Sequence, residues 1–167
     1  KGSPKQKVLS YNHNTLITQT FSRGGIKEIA PRLYREVKDA RTAALKGDIA
    51  AQYILATNLQ IYPALAIDST EYVQNLRLSA EEGIPEAETD YARMLLNGKK
   101  SKKTILVKRS PKQAISYLLK AAQSGYAQAQ YKLAREILSG RVVKKDENKA
   151  WFWLKQSEAQ ENLYAKF

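Results

Sequence analysis

The chain holds little of the material from which active sites are built. It has one histidine, His13, and no cysteine. A Ser-His-Asp relay would have to use that one imidazole as its base. No Gly-x-Ser-x-Gly turn precedes a helical pattern, and His13 has no carboxylate within ten residues on either side. The lack of cysteine removes disulfides, thiolate nucleophiles and thiolate zinc ligands together. Ser22-Arg23-Gly24-Gly25 is not followed by the Gly-Lys-Ser/Thr that a phosphate loop requires. The densest acidic group is Glu81, Glu82, Glu86, Glu88 and Asp90. It lacks the spacing of a calcium loop and reads as a solvated helix end, with Glu86 suiting a helix N-terminus. No catalytic residue, cofactor-binding residue or metal ligand is assigned, and the chain is expected not to be an enzyme.

Residue types suited to binding are more plentiful. The net charge is +12, unevenly spread. Residues 1–35 carry +6, residues 36–98 carry −5, residues 99–112 carry +7 and residues 113–167 carry +4. An acidic middle between basic segments argues against a continuous nucleic-acid groove. It suits a protein partner with an acidic patch. Hydrophobic residues make up 43% of the 167, enough for a core. No run reaches the ~18 apolar residues of a membrane span.

What positions these side chains is a repeat. Three glycines, Gly47, Gly83 and Gly125, stand 36 and 42 residues apart. Four residues after each comes alanine: Ala51, Ala87 and Ala129. Eight after come Leu55, Tyr91 and Leu133, and nine after come Ala56, Ala92 and Ala134. Twelve after come Leu59, Leu95 and Ile137. Offsets 4, 8, 9 and 12 form one stripe of an α-helix, here helix A. Gly98 and Gly140, fifteen residues after two of the anchors, fit left-handed C-terminal caps.

A second helix, B, precedes each anchor. Ile115, Leu118 and Ala122 match Val73, Leu76 and Ala80, and also Val37, Ala40 and Ala44. Ser110 is a candidate cap ahead of Pro111, and Asp146 a candidate cap for a last helix B with Ala150, Trp151, Leu154 and Ser157. Trp151 and Trp153 align with Ile115 and Tyr117, so both read as packing residues. The next anchor position is Glu161, followed four residues later by Ala165, as a further helix A would require. The small residues let helices approach closely while the large ones fill the space between. One hairpin cannot bury its own stripe, so hairpins stack.

The expected fold is all-α, with helices at 26–46, 49–60, 70–82, 85–97, 111–123, 127–139 and 147–160. Pro31 marks a break or restart in the first. Residues 1–25 form an irregular N-terminal extension, and residues 26–167 the repeat domain.

The Gly-x-x-x-Ala-x-x-x-Leu-Ala pattern, Ala121-Ala122-x-x-Gly125 and Lys149-Ala150-Trp151-Phe152-Trp153 resemble the SLR family, the Sel-one-like branch of tetratricopeptide-like repeats. The resemblance covers about residues 36–167, roughly three repeats. It implies a right-handed α/α superhelical solenoid that organises protein complexes, often bacterial and often periplasmic. It therefore implies a scaffold or adaptor in an envelope or secretion-related complex, periplasmic or secreted, with a cytoplasmic location as the alternative. The other functional reading is an immunity or inhibitor protein that blocks a secreted toxin or effector enzyme.

In such superhelices the side of helix A away from the packing stripe lines the groove. By the resemblance that side holds offsets 6, 10 and 13. Offset 6 gives Tyr53, Thr89 and Tyr131; offset 10 gives Thr57, Arg93 and Arg135; offset 13 gives Gln60, Leu96 and Leu138. Tyrosine and arginine are the types richest in binding energy. A further candidate is the loop Lys99–Ser110, where Lys99, Lys100, Lys102 and Lys103 precede Thr104-Ile105-Leu106-Val107. It reads either as a solvated insertion whose apolar centre tucks against the helices or as a contact for an acidic partner. It has no aromatic residue, which argues against nucleic acid.

Overall fold

The computed structural model describes residues 31–160. His13, the Ser22–Gly25 segment, the extension over 1–25, the 26–30 start of the first predicted helix, Glu161 and Ala165 lie outside these residues. The described chain runs α1 (Pro31–Leu45), α2 (Ile49–Ile61), a 3₁₀ turn (Pro63–Leu65), α3 (Glu71–Glu81), α4 (Pro85–Asn97), β1 (Lys99–Ser101), β2 (Thr104–Val107), α5 (Pro111–Gln123), α6 (Ala127–Ser139) and α7 (Glu147–Ala159). Within this range the helix ends fall within one residue of those the periodicity predicts. The chain forms two compact units, one ending at Tyr72 and one beginning at Val73.

The anchor glycines share one conformation, with φ of 88°, 88° and 92° at Gly47, Gly83 and Gly125. Each turn closes with the same two hydrogen bonds. The glycine N–H donates three residues back, to Ala44, Ala80 or Ala122 at 3.0–3.1 Å. The next N–H donates five residues back, to Ala43, Ser79 or Ala121 at 3.1 Å. This is the Schellman end of a helix, whose left-handed residue favours glycine. Of the two predicted caps on helix A, Gly140 is left-handed, at φ 65° and ψ 9°. Gly98 instead takes φ 74° and ψ 160°, a turn into β1.

At the N-termini, Asp48 Oδ1 accepts from the Ala51 amide at 2.9 Å, and Asp146 Oδ1 from Lys149 at 3.0 Å. Ser110 departs from its predicted role: its hydroxyl makes no cap bond, and α5 starts on Pro111 with no side-chain cap. Proline at that position leaves one fewer amide to satisfy.

In the first unit α1 packs on α2. Leu33, Val37, Ala40 and Ala44 meet Ala51, Leu55, Leu59 and Tyr62 in one buried cluster. The connection from Ile61 to Asp68 has no glycine. A long-range clamp orders it instead. The Arg41 guanidinium holds both carboxylate oxygens of Glu71 and donates to the Leu65 carbonyl at 2.8 Å. Glu71 Oε2 also accepts from the Ile67 amide at 2.7 Å.

In the second unit α4 packs on α5, α5 on α6 and α6 on α7. Ala87, Ala92, Ala129 and Ala134 of the helix A stripe are 0% exposed. Tyr91 meets Tyr117 edge to face at 5.4 Å. Ala150, Leu154 and Ser157 form the buried face of α7, and Ser157 Oγ donates to the Ala127 carbonyl at 2.9 Å. The packing role predicted for Trp151 is corrected here. It lies one residue off that face and is 58% exposed. Among the described residues no helix follows α7 to cover it. Trp153 is half-buried, edge to face with Phe152 at 5.0 Å.

The stretch predicted as a loop folds as a small antiparallel hairpin. Lys99 pairs with Val107, Lys100 with Ile105 and Ser101 with Thr104, with a bulge between Lys99 and Lys100. Lys102 turns the chain at φ 50°. The expected tucking of the apolar centre holds for Val107, which is buried, and not for Ile105, which is exposed. The residues after β2 satisfy the last carbonyls of α4: the Ser110 amide donates to Leu95 O and Arg109 Nε to Leu96 O, both at 2.8 Å.

Candidate protein-binding surface

In the first unit, Tyr53 and Thr57 lie one turn apart on α2, both half-buried. The Thr57 hydroxyl donates to its own helix, to the Ile54 carbonyl at 2.9 Å.

In the second unit the candidates divide. Thr89 is 0% exposed and its hydroxyl donates to the Pro85 carbonyl at 2.7 Å, so it cannot meet a partner and is withdrawn as a site residue. Its short side chain lets helices close over a position where the other two copies carry tyrosine. Arg93 and Arg135 are exposed and Tyr131 is half-buried. The Arg135 guanidinium stands 5.9 Å from the Tyr131 ring centroid, a cation–π contact that orients both. Lys99, Lys100, Lys102 and Lys103 are all exposed on the hairpin.

Arg93 and Arg135 come together in one cleft of about 270 Å³. Its walls are Arg93, Leu96 and Asn97 of α4, Arg109 and Leu118, then Lys132, Arg135 and Glu136 of α6, with Arg141 and Val142 beyond. Sequence reasoning missed Lys132 and Arg141, and took Arg109 only as part of the basic loop. A signal existed for Lys132, which stands at offset 7, three residues before Arg135 and so on the same helix face. The matching residue of the preceding copy, Asp90, lies 3.6 Å from Arg93 Nη2.

These charges feel one another. Burial holds the Lys132 amine below its ordinary range, and Arg93 and Arg135 push it further down while Asp90 opposes them. Burial raises the Asp90 carboxyl, with Arg93 and Lys132 pulling it back and Glu86 adding to the rise. The acidic group predicted as a solvated helix end is only partly solvated. Glu88 is 4% exposed, and burial raises its carboxyl against the pull of Lys120. Among the described residues no group of three or more His, Cys, Asp or Glu side chains stands together to hold a metal ion, and no helix is long and apolar enough to cross a membrane.

Helical hairpins joined by one repeated glycine turn, with aromatic and cationic side chains opposite the packing stripe, define an α/α repeat solenoid. The Sel1 repeat family matches residues 85–126 and 127–162. Each match opens on a helix A and closes after the next helix B. A Sel1 repeat protein from Oxalobacter formigenes is 30% identical over 79% of this chain and 95% of that one, with a TM-score of 0.67. A second structure, c5321, is described as a protective antigen present in uropathogenic Escherichia coli strains displaying an SLR fold. It is 25% identical over 79% of this chain and 27% of that one, with a TM-score of 0.67. No curated protein matches the chain significantly. The chain belongs to the Sel1 repeat family, whose repeats are a protein-interaction module and generally non-catalytic.

Proposed function

We propose that the chain is a non-catalytic protein-binding module that serves as a scaffold or adaptor in a bacterial envelope or secretion-related complex. One observation carries the reading. Helix A spends offsets 4, 8, 9 and 12 on the core, yet still presents Arg93, Tyr131 and Arg135 at the surface. Burial of the stripe fixes the fold, so the opposite face is free to be spent on a partner. Tyr53 and Thr57 serve the same role on α2. The hairpin lysines Lys99, Lys100, Lys102 and Lys103 meet an acidic patch and speed the encounter. The likeness to a protective antigen supports a periplasmic or secreted location.

The test begins with capture of partners from a native lysate and their identification by mass spectrometry. Alanine at Tyr53, Arg93, Tyr131 and Arg135 is then measured one residue at a time. A true hot spot loses ~2 kcal/mol or more of binding with the fold intact. Four variants that all bind as wild type overturn the reading.

A further inference from the structure

The cleft of the second unit is lined by Arg93, Arg109, Lys132, Arg135 and Arg141 against a single acid, Glu136. Like charges gathered in one concave space repel, and protein surfaces ordinarily intersperse the two signs. Among the described residues Arg109, Lys132, Arg135 and Arg141 form no ion pair, and Arg93 has only its 3.6 Å contact with Asp90. Arg109 is fixed by its Nε bond to the Leu96 carbonyl, and Arg135 by its place over Tyr131. Two guanidiniums are thus ordered in advance, which lowers the entropy lost when a ligand is bound.

The shape narrows the ligand. The cleft's volume of about 270 Å³ has room for one or two side chains. That is below the ~300–1,000 Å³ of small-molecule pockets. Leu96 and Val142 give the walls an apolar part. Glu136, with Asp90 beside Arg93, opposes a phosphate dianion more than a single carboxylate. Guanidinium forks match a carboxylate in geometry.

We propose that this cleft anchors an acidic side chain of a partner protein, its carboxylate held by Arg93 and Arg135 and an apolar neighbour resting on Leu96 and Val142. The site deepens the binding-module reading and rests on it in taking a protein as occupant. The half-buried Lys132 completes the positive field, and a bound carboxylate relieves the repulsion among the three cations.

The probe is a fluorescent hexapeptide of alternating Glu and Leu, with a Gln-Leu counterpart, measured by anisotropy at about 0.15 M salt. The Glu peptide is expected to bind at least about tenfold more tightly than the Gln peptide. The pair Arg93→Gln with Arg135→Gln is expected to lose about tenfold or more for the Glu peptide. Lys112→Gln with Lys155→Gln removes the same charge from exposed positions outside the cleft and is expected to change affinity less than about threefold. Equal loss in both double variants, equal binding of both peptides, or displacement of the Glu peptide by equimolar inorganic phosphate overturns the proposal. Circular dichroism checks each fold, and the comparison of peptides on the wild-type chain decides if a variant unfolds. A partner whose capture needs Tyr53 and Tyr131 but not the cleft cations sinks the cleft and leaves the module reading standing.

Discussion

Arg41 on α1 and Glu71 at the head of α3 are thirty residues apart and share a two-point ion pair that also grips the backbone at Leu65 and Ile67. Glu71 is buried and Arg41 nearly so. Removing one partner strands the other charge, which costs about 3–5 kcal/mol for buried pairs. Arg41→Ala should therefore destabilise the first unit by an amount in that range. Urea denaturation gives the loss, and hydrogen exchange at the Ile67 amide localises it. Unchanged protection of that amide would contradict the clamp.

Ala92 and Ala134 are 0% exposed at the same place in two copies. Leucine at either should overpack the core and cost ~1–3 kcal/mol. Melting temperature is the readout, with Leu at exposed Gln113 as control. If both core variants melt as the wild type does, the stripe is not a close contact.

Glu88 makes stability depend on pH. Burial raises its folded carboxyl above the ordinary 4.5, with Lys120 opposing. The folded state then holds the proton more tightly than the unfolded chain, so stability falls as pH rises from that ordinary value through the raised one. The other two copies carry Gln52 and Gln130 here, and Gln130 Nε2 donates to the Ala122 carbonyl at 3.1 Å. Glu88→Gln should stabilise the chain at neutral pH, and its advantage should shrink on acidification. Thermal melts at several pH values test this. An advantage that ignores pH rules out the buried carboxylate as its source.

Changing Lys99, Lys100, Lys102 and Lys103 to Gln together should slow association with an acidic partner and flatten its salt dependence. The effect is screened over ~8 Å at physiological salt. Dissociation should change little, because exposed charges at the rim steer more than they hold. Surface plasmon resonance at two salt concentrations separates the rates. The same on-rate for variant and wild type leaves the hairpin as a solvated insertion.

Much of the fold is legible in the chain because close helix contacts demand small residues at a fixed period. Ala87, Ala92, Ala129 and Ala134 announce both the helices and the faces they bury. The Arg41–Glu71 clamp has no period, so nothing local reveals it. Gln52, Glu88 and Gln130 share offset 5 and are buried although polar, against the pattern by which polar positions read as solvated. Lysines masked the hairpin, because backbone pairing between Lys100 and Ile105 is indifferent to charge. Of the groove residues, Arg93 and Arg135 follow from the period, whereas Arg109 and Arg141 stand on connections whose course only the fold determines.

The three glycine turns make the chain divisible. A Cβ built at Gly47, Gly83 or Gly125 meets nothing within 4 Å. The joint between helices is closed by the same two backbone hydrogen bonds in each copy. Such a joint can be copied with the helices on either side of it and still close. Length then becomes an adjustable property. Repeats can be spliced in or out at these glycines, and a surface that recognises one partner can be lengthened toward another without redesigning the turn.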